Sequence, residues 1–409
     1  MLRSTNQEPA NSARPARPAS SRRANSDWGA GAASLIAVVL AGACSAAQPD
    51  PRPNLLIWLS HGIEASQGPE IALLARSSLR FSRAYAASGE TRPALTALLT
   101  GQPPGSEIAA SEQGSPLSEL AERLRAAGYT TRAVLAEDAP DDVADLFGGF
   151  EYVQRSPSTE ERSQLERMSA ERAPWLLLLY AAPDLGAGSG AITDASSSVR
   201  PQTTLGDWLR ELARLGMTDD TLLAVTADHG VQAVESVAAK QSKTTEPRNR
   251  PGPYEERIRV PLLLRPPHGI EARTISQPVS LLSLAPTLLE LAGVPAASTQ
   301  LPSAGSLSPW LFGDPARPSR APITSRVGRR IAIIEARYKL IADDGTAGHS
   351  ALEDIELIEQ SGRFELFDLA ADPLERRNLS TQRPDLRRRL ARRLAASQAP
   401  LRVDRLSLP

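Results

Sequence analysis

The sequence predicts an α/β protein with a mainly parallel sheet sandwiched by helices, followed by a smaller C-terminal α+β subdomain. Continuous apolar runs alternate with amphipathic segments along most of the chain, and two of these runs end abruptly in polar residues. A continuous apolar run is typical of a parallel strand that is buried on both faces. Strands that alternate with helices indicate a mainly parallel sheet with helices on both of its faces.

The individual elements follow from these patterns in chain order. The run NLLIWLS, which begins at Asn54, is the first predicted strand. An amphipathic helix over Ser115–Tyr129 begins at a serine and ends near a glycine, and the strand TTRAVLA follows it. Further buried strands are predicted at Ala173–Ala181 and at the runs TLLAVTADHG and RVPLLLRPP, with the helix TTLGDWLRELARLGM between the first two.

The sequence pattern changes at about Ala321. The segments RRIAIIEARYKLIADD and GRFELFDLAADP have the pattern of antiparallel strands, and QRPDLRRRLARRLAASQ that of a closing helix. We therefore expect an α/β domain over residues 54–320 and a subdomain of antiparallel sheet and helix over residues 321–398.

The bulk composition of the 409 residues is that of a globular protein, with 41% hydrophobic and 23% charged residues. The net charge of −1 gives no electrostatic case for a nucleic-acid partner. Basic residues are nearly all arginine, and lysine occurs only at Lys240, Lys243 and Lys339. Only these three lysines could serve a mechanism that needs a catalytic lysine.

The N-terminal residues have the order of an export signal. Residues 1–28 are polar and contain several arginines, and the apolar run GAGAASLIAVVLAGAC then ends at Cys44, the single cysteine of the chain. This run is shorter than the roughly 20 residues that a membrane-spanning helix needs. A charged, then apolar, then small-residue order is typical of a secretory signal.

The stretch LAGAC resembles a bacterial lipobox, in which the cysteine becomes the lipidated first residue of the mature protein. Residues 1–44 are then a lipoprotein signal peptide, and residues 45–53 are a Pro-rich tether. An ordinary signal peptide with an incidental cysteine is the alternative. The lipobox predicts export to the bacterial cell envelope, in the periplasm or at the outer membrane, with acyl chains that hold the protein at a membrane.

Two predicted strands end in polar groups that suit a binding site. The first strand ends in SHG, with His61, and the run TLLAVTADHG ends with Asp228 and His229. In open α/β sheets the ligand site lies outside the carboxyl ends of the strands. Asp228 and His229 are therefore candidate metal ligands, and a turn with a solvated aspartate and an incidental histidine is the alternative.

The segment SGETRPALTALLTG, Ser88–Gly101, has the pattern of a turn followed by an apolar helix. Thr91 stands where an attacking hydroxyl is expected. Threonine is also a preferred helix N-cap residue, and Pro93 suits the first turn of a helix. Thr91 is therefore a candidate nucleophile, a candidate helix cap, or both.

The order of these segments resembles the sulfatase branch of the alkaline phosphatase superfamily. RPNLLIWLSHGIEA is similar to the family's opening strand, FSRAYAASGETRPALTALLTGQPP to its nucleophile segment, and TLLAVTADHG to its metal-binding turn. YEERIRVPLLLRPP, ISQPVSLLSLAPTLLELAGVP and FELFDLAADPLERRNL follow in the family's order. The resemblance spans about Arg52 to Leu379 and implies an alkaline phosphatase-like fold.

The resemblance also implies a hydroxyl nucleophile beside one or two divalent cations, which lower its pKa and neutralise charge on a sulfuryl or phosphoryl group. Typical sulfatases oxidise a cysteine or serine at the nucleophile position to formylglycine, and Thr91 occupies that position here. Threonine carries a methyl group on Cβ, so its oxidation cannot yield an aldehyde. The sequence therefore excludes formylglycine at this position and leaves direct attack by the unmodified Thr91.

The metal ligands that the resemblance implies are altered as well. His61 stands where the family has its first metal-binding aspartate. Imidazole is a good ligand for zinc and a poor one for calcium or magnesium. His61, Thr91, Asp228 and His229 therefore predict one tetrahedral site for a divalent cation, with zinc favoured over calcium or magnesium. A decayed site, in which His61 is a neutral replacement, is the alternative.

Three further residues stand near family positions that contact the second metal or the substrate. Asp184 stands in for the usual acid after the strand WLLLLY, and Arg250 aligns with the family's anion-contacting Lys or His. Arginine binds an anionic oxygen bidentately but cannot act as a general acid. Arg92 is a further candidate for binding charge, with solvation at the surface as the alternative.

These observations leave three functions. The first is a metal-dependent hydrolase of a sulfate or phosphate ester that uses Thr91 and Arg250. The second is a catalytically degenerate sulfatase-fold lipoprotein that binds an anionic glycan, a lipid headgroup or a protein. A headgroup transferase ranks last, because such enzymes commonly carry several membrane helices. Losing one side chain of a catalytic site commonly raises the activation barrier by about 2.7–4 kcal/mol. Because several family residues are replaced here, the sequence supports the degenerate, binding function almost as well as the hydrolase.

Overall fold

The structure is a computed structural model, and its described residues are 52–60, 69–105, 119–136, 139, 141–155, 161–171, 173–181, 204–230, 250–294, 305–312, 322–343 and 364–398. The predicted signal peptide with Cys44 lies outside these ranges, as do His61 and Asp184. Each helix in these ranges is too short or too polar to span a lipid bilayer.

The larger sheet confirms the predicted architecture, and it has nine strands in the described part of the chain. They are β1 (Asn54–Ser60), β2 (Leu79–Tyr85), β3 (Thr130–Leu135), β4 (Tyr152–Arg155), β5 (Trp175–Ala181), β6 (Thr221–Ala227), β7 (Arg259–Arg265), β8 (Arg273–Ile275) and β9 (Val279–Ser280). Their spatial order is β4-β3-β5-β1-β6-β7-β2-β8, and β9 pairs with β2. The strands from β4 to β6 are parallel, with β1 between β5 and β6.

Strand β7 runs antiparallel to both of its neighbours, β6 and β2. Its leucines alternate between the two faces of the sheet, with Leu262 and Leu264 in one core and Leu263 in the other. Burial on both faces makes the run RVPLLLRPP continuously apolar, which is also the pattern of a buried parallel strand. The sequence therefore predicts this strand without predicting its direction.

Helices cover both faces of the larger sheet. The described helices that precede the second sheet in the chain are α1 (Pro69–Leu74), α2 (Thr91–Thr100), α3 (Glu119–Ala126), α4 (Glu161–Ala170), α5 (Leu205–Arg214), α6 (Glu255–Ile258), α7 (Leu284–Leu291) and α8 (Ser308–Leu311). Short 3-10 helices lie at Ala75–Ser77, Asp141–Phe147, Thr218–Asp220 and Leu281–Ser283. Leucines of α2, α3 and α7 belong to the core on one face, and apolar side chains of α4 and α5 belong to the core on the other.

The second sheet is antiparallel, and its four strands follow one another in the order β10-β11-β12-β13. They are β10 (Ile323–Val327), β11 (Arg330–Glu335), β12 (Tyr338–Asp343) and β13 (Phe364–Asp368), and helix α9 (Pro384–Gln398) comes after them. Leu390 and Leu394 of α9 share a core with apolar residues of β11, β12 and β13. These are the antiparallel strands and the closing helix that the sequence predicts after Ala321.

A buried ionic cluster joins the second sheet to helix α6. Lys339 of β12 pairs with Glu255 of α6 at 3.1 Å and with Glu375 at 2.6 Å. Glu375 in turn accepts a 2.7 Å hydrogen bond from the backbone amide of Glu255, and Tyr85 at the end of β2 donates to the Glu255 carboxylate. Burial raises the pKa of Glu375 to about 6, and the charge of Lys339 opposes this rise. Lys339 therefore has a structural role, because its ammonium group is paired with two carboxylates in the interior.

Candidate active site

Thr91 is the first residue of α2, and residues 86–90, here called the nucleophile turn, deliver it from the end of β2. Glu90 has extended backbone angles, φ −126° and ψ 134°, and occupies the N-cap position. Its amide donates to Ser88 Oγ at 3.1 Å, and its carbonyl accepts from Ala94 N at 3.0 Å. The interpretation of Thr91 as the helix cap is therefore wrong, because a cap residue has non-helical angles and Glu90 is the residue that has them.

The hydroxyl of Thr91 contacts a histidine rather than the helix end. Thr91 Oγ1 lies 3.2 Å from Nε2 of His229, although the two residues are 138 positions apart in the sequence. They meet because β2 and β6 belong to one sheet, with only β7 between them in the strand order. The candidate nucleophile and one candidate ligand are thus within hydrogen-bonding distance.

Asp228 directly follows β6 and begins residues 228–230, here called the Asp-His turn. Its amide donates to Ser60 O at the end of β1. Its side chain is buried, and the carboxylate accepts hydrogen bonds from His229 N at 2.7 Å and from Tyr180 OH of β5 at 3.2 Å. A buried carboxylate is stable only when it is paired or hydrogen-bonded in this way. The alternative of a solvated aspartate is therefore wrong.

The contacts of His229 determine which ring nitrogen carries the proton in the neutral form. Nδ1 lies 2.6 Å from Gly230 O, and a carbonyl oxygen can only accept a hydrogen bond. Nδ1 is therefore protonated, and Nε2 presents a lone pair. The hydroxyl of Thr91 is then the donor in the 3.2 Å contact. A hydroxyl that donates to an unprotonated imidazole nitrogen is the arrangement that activates an alcohol for attack.

Helix α6 holds the two turns of the site together. Gly230 N donates to Arg257 O at 2.8 Å, and Arg257 Nε donates to Gly89 O at 2.9 Å. A side chain at either position would crowd these contacts, because a Cβ on Gly230 would lie 2.2 Å from Glu256 O and one on Gly89 would lie 2.6 Å from Arg257 Cγ. Arg257 therefore links the nucleophile turn to the Asp-His turn.

The two arginines that the sequence assigns to substrate binding contact other protein groups. Arg92 forms a bidentate pair with Asp145 at the surface, with N–O distances of 2.8 and 2.7 Å. The guanidinium of Arg250 lies 3.7 Å from the centre of the Tyr254 ring and donates to Glu375 O at 2.8 Å. These contacts differ from the predicted anion-binding roles. The sequence does not indicate them, because the partners are 53 and 125 positions away.

Asp228 and His229 are the described side chains at this site that suit a cation. Asp228 Oδ2 and His229 Nε2 lie 3.9 Å apart. Groups of three or more His, Cys, Asp or Glu side chains that could hold a metal ion do not occur in the described ranges. Catalytic zinc sites usually have three protein ligands, so the described part of this site falls one ligand short. The third predicted ligand, His61, lies outside the described residues.

Sequence reasoning missed two residues of the site, Tyr180 and Arg257. Tyr180 is the polar end of the otherwise aliphatic run WLLLLY. A polar group at the carboxyl end of a buried strand is a signal that could have found it. Arg257 gives no comparable signal, because its contact to Gly89 joins residues that are 168 positions apart.

The fold is similar to that of solved proteins of the alkaline phosphatase superfamily. A superfamily protein from Vibrio parahaemolyticus has a similar structure, with a TM-score of 0.58 and 17% identity over 85% of this chain and 87% of that one. The family model for Sulfatase matches residues 59–172 and 203–294, which is half of the chain. The chain belongs to the sulfatase family.

Relatives among curated proteins include two sulfatases of Bacteroides thetaiotaomicron. The chain is 23% identical to an N-acetylgalactosamine-6-O-sulfatase over 217 residues, which cover 51% of this chain and 42% of that protein. It is 28% identical to an N-acetylglucosamine-6-O-sulfatase over 184 residues, which cover 43% of this chain and 29% of that protein. The matched regions therefore span less than half the length of either relative.

Solved structures show the same fold in proteins of different names. The structure of Ps i-CgsB in complex with k-i-k-neocarrahexaose has a TM-score of 0.62 and 19% identity, over 84% of this chain and 92% of that one. The phosphonate monoester hydrolase of Agrobacterium radiobacter has a TM-score of 0.58 and 16% identity, over 85% of this chain and 96% of that one. At these identities the likeness extends to the fold alone.

Proposed function

We propose that the protein hydrolyses a sulfate or phosphate ester, with unmodified Thr91 as the nucleophile. The observation that carries this proposal is the 3.2 Å contact between Thr91 Oγ1 and His229 Nε2. A threonine hydroxyl is a weak nucleophile until a base accepts its proton. His229 suits that task, because the hydrogen bond from Nδ1 to Gly230 O leaves the lone pair of Nε2 facing the hydroxyl.

In the proposed reaction, Thr91 Oγ1 attacks the sulfur or phosphorus atom in line with the ester oxygen while its proton passes to His229 Nε2. A bond forms between Oγ1 and the central atom. The ester bond breaks with its electron pair on the departing alcohol oxygen, which takes up a proton. Water then attacks the same sulfur or phosphorus atom, and the bond from that atom to Oγ1 breaks with its electron pair on Oγ1. As water loses a proton, Oγ1 takes one back from the protonated His229, and sulfate or phosphate is released. The carboxylate of Asp228 stabilises the imidazolium that forms next to it.

Members of the sulfatase family generally use a divalent metal, and for this chain we propose a single cation of the zinc class. His61, Asp228 and His229 are the residues that would hold it. When bound, such a cation lowers the pKa of an adjacent hydroxyl and neutralises charge on the ester. Nε2 of His229 has one lone pair, so it can serve either as a ligand or as the base. With a cation bound, the cation would lower the pKa of the Thr91 hydroxyl in place of the imidazole, and His229 is the base when no cation is bound.

Elemental analysis of purified wild type beside Asp228→Ala tests the cation. We expect one equivalent of zinc in the wild type and much less in Asp228→Ala, because the variant lacks the buried carboxylate ligand. Metal in neither protein would reject the cation and leave His229 as a simple base.

The substrate class that we propose is a sulfated glycan or a related anionic ester, in keeping with the two hexosamine sulfatases among the relatives. The test is a panel of aryl sulfate, aryl phosphodiester and 6-O-sulfated N-acetylhexosamines, assayed with wild type, Thr91→Ser and Thr91→Ala. We expect turnover of at least one ester by the wild type, partial activity in Thr91→Ser and a near-complete loss in Thr91→Ala. Equal rates in wild type and Thr91→Ala would reject Thr91 as the nucleophile.

A second candidate function is a sulfatase-fold lipoprotein that binds an anionic glycan, a lipid headgroup or a protein without turnover. The contacts of Arg92 with Asp145 and of Arg250 with Glu375 favour loss of turnover, because they occupy the two arginines that the sequence predicts to hold the ester during catalysis. No turnover of any ester by the wild type, together with glycan binding that Thr91→Ala leaves unchanged, would support this function over hydrolysis.

We also propose that Cys44 carries acyl chains that anchor the mature protein in the bacterial cell envelope, in the periplasm or at the outer membrane. The lipobox-like stretch LAGAC supports the proposal. Metabolic labelling with a fatty acid, with Cys44→Ser as the control, tests it. Label in the wild type alone is expected, and equal labelling of both proteins or of neither would reject the anchor.

A further inference from the structure

We propose that Arg257 binds the anionic group of the substrate, in the place that the sequence assigns to Arg250. The inference rests on the proposed function, since the anion is the group that Thr91 attacks. Its test requires no turnover, so it can fail or succeed independently of hydrolysis.

The guanidinium of Arg257 is fixed at the nucleophile turn by one of its three nitrogens. Nε donates to Gly89 O at 2.9 Å, and Gly89 is two residues before Thr91. The stem of the side chain lies flat against Gly89, where a Cβ would come within 2.6 Å of Arg257 Cγ and 3.0 Å of Cδ. The absence of a side chain at Gly89 is thus what lets Arg257 approach the site.

The two terminal nitrogens of this guanidinium remain for a ligand. In the described part of the chain, neither Nη group of Arg257 has a hydrogen-bond or ion-pair partner, and the side chain is half-buried. A guanidinium with two parallel N–H groups matches two oxygens of a sulfate or phosphate. By contrast, the guanidinium of Arg92 donates hydrogen bonds to Asp145, and that of Arg250 donates to the Glu375 carbonyl.

Hydrogen bonds fix the backbone of Arg257 at both its carbonyl and its amide group. Its carbonyl accepts from Gly230 N at 2.8 Å, and its amide donates to Tyr254 O at 2.9 Å. Glu255, two residues earlier in α6, is bound by Lys339 at 3.1 Å. A residue that binds an anion from a fixed backbone loses less entropy on binding than one on a loose loop.

The charge at the site also favours this role. The carboxylate of Asp228 is buried beside His229, and a negative ester that approaches Thr91 would be repelled by it. Arg257 supplies a positive charge from helix α6 on the nucleophile turn itself. The net field that the ester meets therefore depends on this guanidinium.

The experiment is calorimetric titration of the full-length protein with inorganic sulfate and with orthovanadate. The variants are Arg257→Gln, whose amide can still donate to Gly89 O but has lost the charge and the fork, and Arg250→Gln as the matched control. We expect both anions to bind the wild type, affinity to fall at least 10-fold in Arg257→Gln, and Arg250→Gln to stay within twofold. Circular dichroism and thermal unfolding establish that each variant is folded.

A second measurement uses the unmodified wild type. Sulfate should slow the modification of Arg257 by phenylglyoxal, followed by mass spectrometry, while the Arg250 peptide serves as the internal reference. The proposal is overturned if wild type binds neither anion, if Arg257→Gln binds them unchanged, or if sulfate protects Arg250 and not Arg257. Failure of the proposed function gives a different result, in which anion binding depends on Arg257 but ester turnover is absent or does not respond to Thr91→Ala.

Discussion

Lys339 Nζ lies 2.6 Å from Glu375 Oε1 in the interior, and neither side chain has exposed surface. The same ammonium group pairs with Glu255, the first residue of α6. Helix α6 also contains Arg257, which contacts both turns of the candidate site. One lysine of the second sheet therefore supports the segment that positions the site on the first sheet.

Replacing this lysine should destabilise the protein strongly. Lys339→Met removes the cation from two buried carboxylates, and breaking a buried ion pair in this way costs about 3–5 kcal/mol. Urea unfolding followed by circular dichroism measures the loss. The matched control is Arg388→Met, whose partner Asp385 lies on the same helix at the surface, so that its loss should have little effect. Similar losses in the two variants would contradict a structural role for the buried pair.

The pH dependence of stability should report on Glu375. Burial raises the pKa of its carboxyl from 4.5 to about 6 in the folded protein. Between these pH values the folded state binds more protons than the unfolded state, so the contribution of Glu375 to the free energy of unfolding falls as the pH rises. A shift of this size corresponds to about 2 kcal/mol.

Glu375→Gln should remove that fall. Urea unfolding at pH 4.5 and at pH 7 gives the difference in stability between wild type and variant at each pH. We expect the wild type to lose about 2 kcal/mol relative to Glu375→Gln between the two. A difference that stays constant, or that changes in the opposite direction, would show that the raised pKa is wrong.

The predictions from sequence succeeded where the signal is local. The alternation of apolar runs with amphipathic helices predicted the layered sheet, because burial on each face leaves its pattern within a few residues. The polar ends of the strands likewise predicted that Asp228 and His229 lie at the sheet edge. The direction of β7 was not predicted, since a strand buried on both faces has the same pattern in either direction.

The remaining contacts of the site depend on tertiary geometry. Arg250 aligned with an anion-binding position, yet the ring of Tyr254 and the carbonyl of Glu375 hold its guanidinium. Arg257 reaches Gly89 across the fold, and the glycine that permits this approach is indistinguishable in sequence from any other turn glycine. Side chains with several flexible bonds take the partners that packing offers, and sequence spacing does not reveal those partners.

The two glycines of the site should differ in their tolerance of alanine. A Cβ at residue 230 would lie 2.2 Å from the backbone oxygen of Glu256, which can move only if α6 moves. A Cβ at residue 89 would meet side-chain atoms of Arg257 and Val327 at 2.6 and 2.8 Å, and side chains shift more easily than a helix backbone. Overpacking typically costs about 1–3 kcal/mol, so we expect Gly230→Ala near or above the upper value and Gly89→Ala near the lower. Thermal and urea unfolding of the two variants would contradict this if the order were reversed.

Removal of the Tyr180 hydroxyl should lower the rate of ester hydrolysis more than removal of a hydrogen-bonded tyrosine hydroxyl far from the site. Tyr180→Phe removes the 3.2 Å hydrogen bond to Asp228 Oδ2 and leaves a buried carboxylate with one donor fewer. A hydrogen bond to a charged group contributes about 1.5–3 kcal/mol, and the carboxylate that has lost it is less well fixed beside His229. We expect lower stability together with a roughly tenfold lower rate of ester hydrolysis, since about 1.4 kcal/mol of barrier corresponds to tenfold in rate.

The matched control is Tyr129→Phe, which loses a 3.1 Å hydrogen bond to Pro53 O just before the first strand. That variant should lose some stability and keep its rate. Equal rates of ester hydrolysis in the two variants would show that Tyr180 does not contribute to catalysis and has a purely structural role.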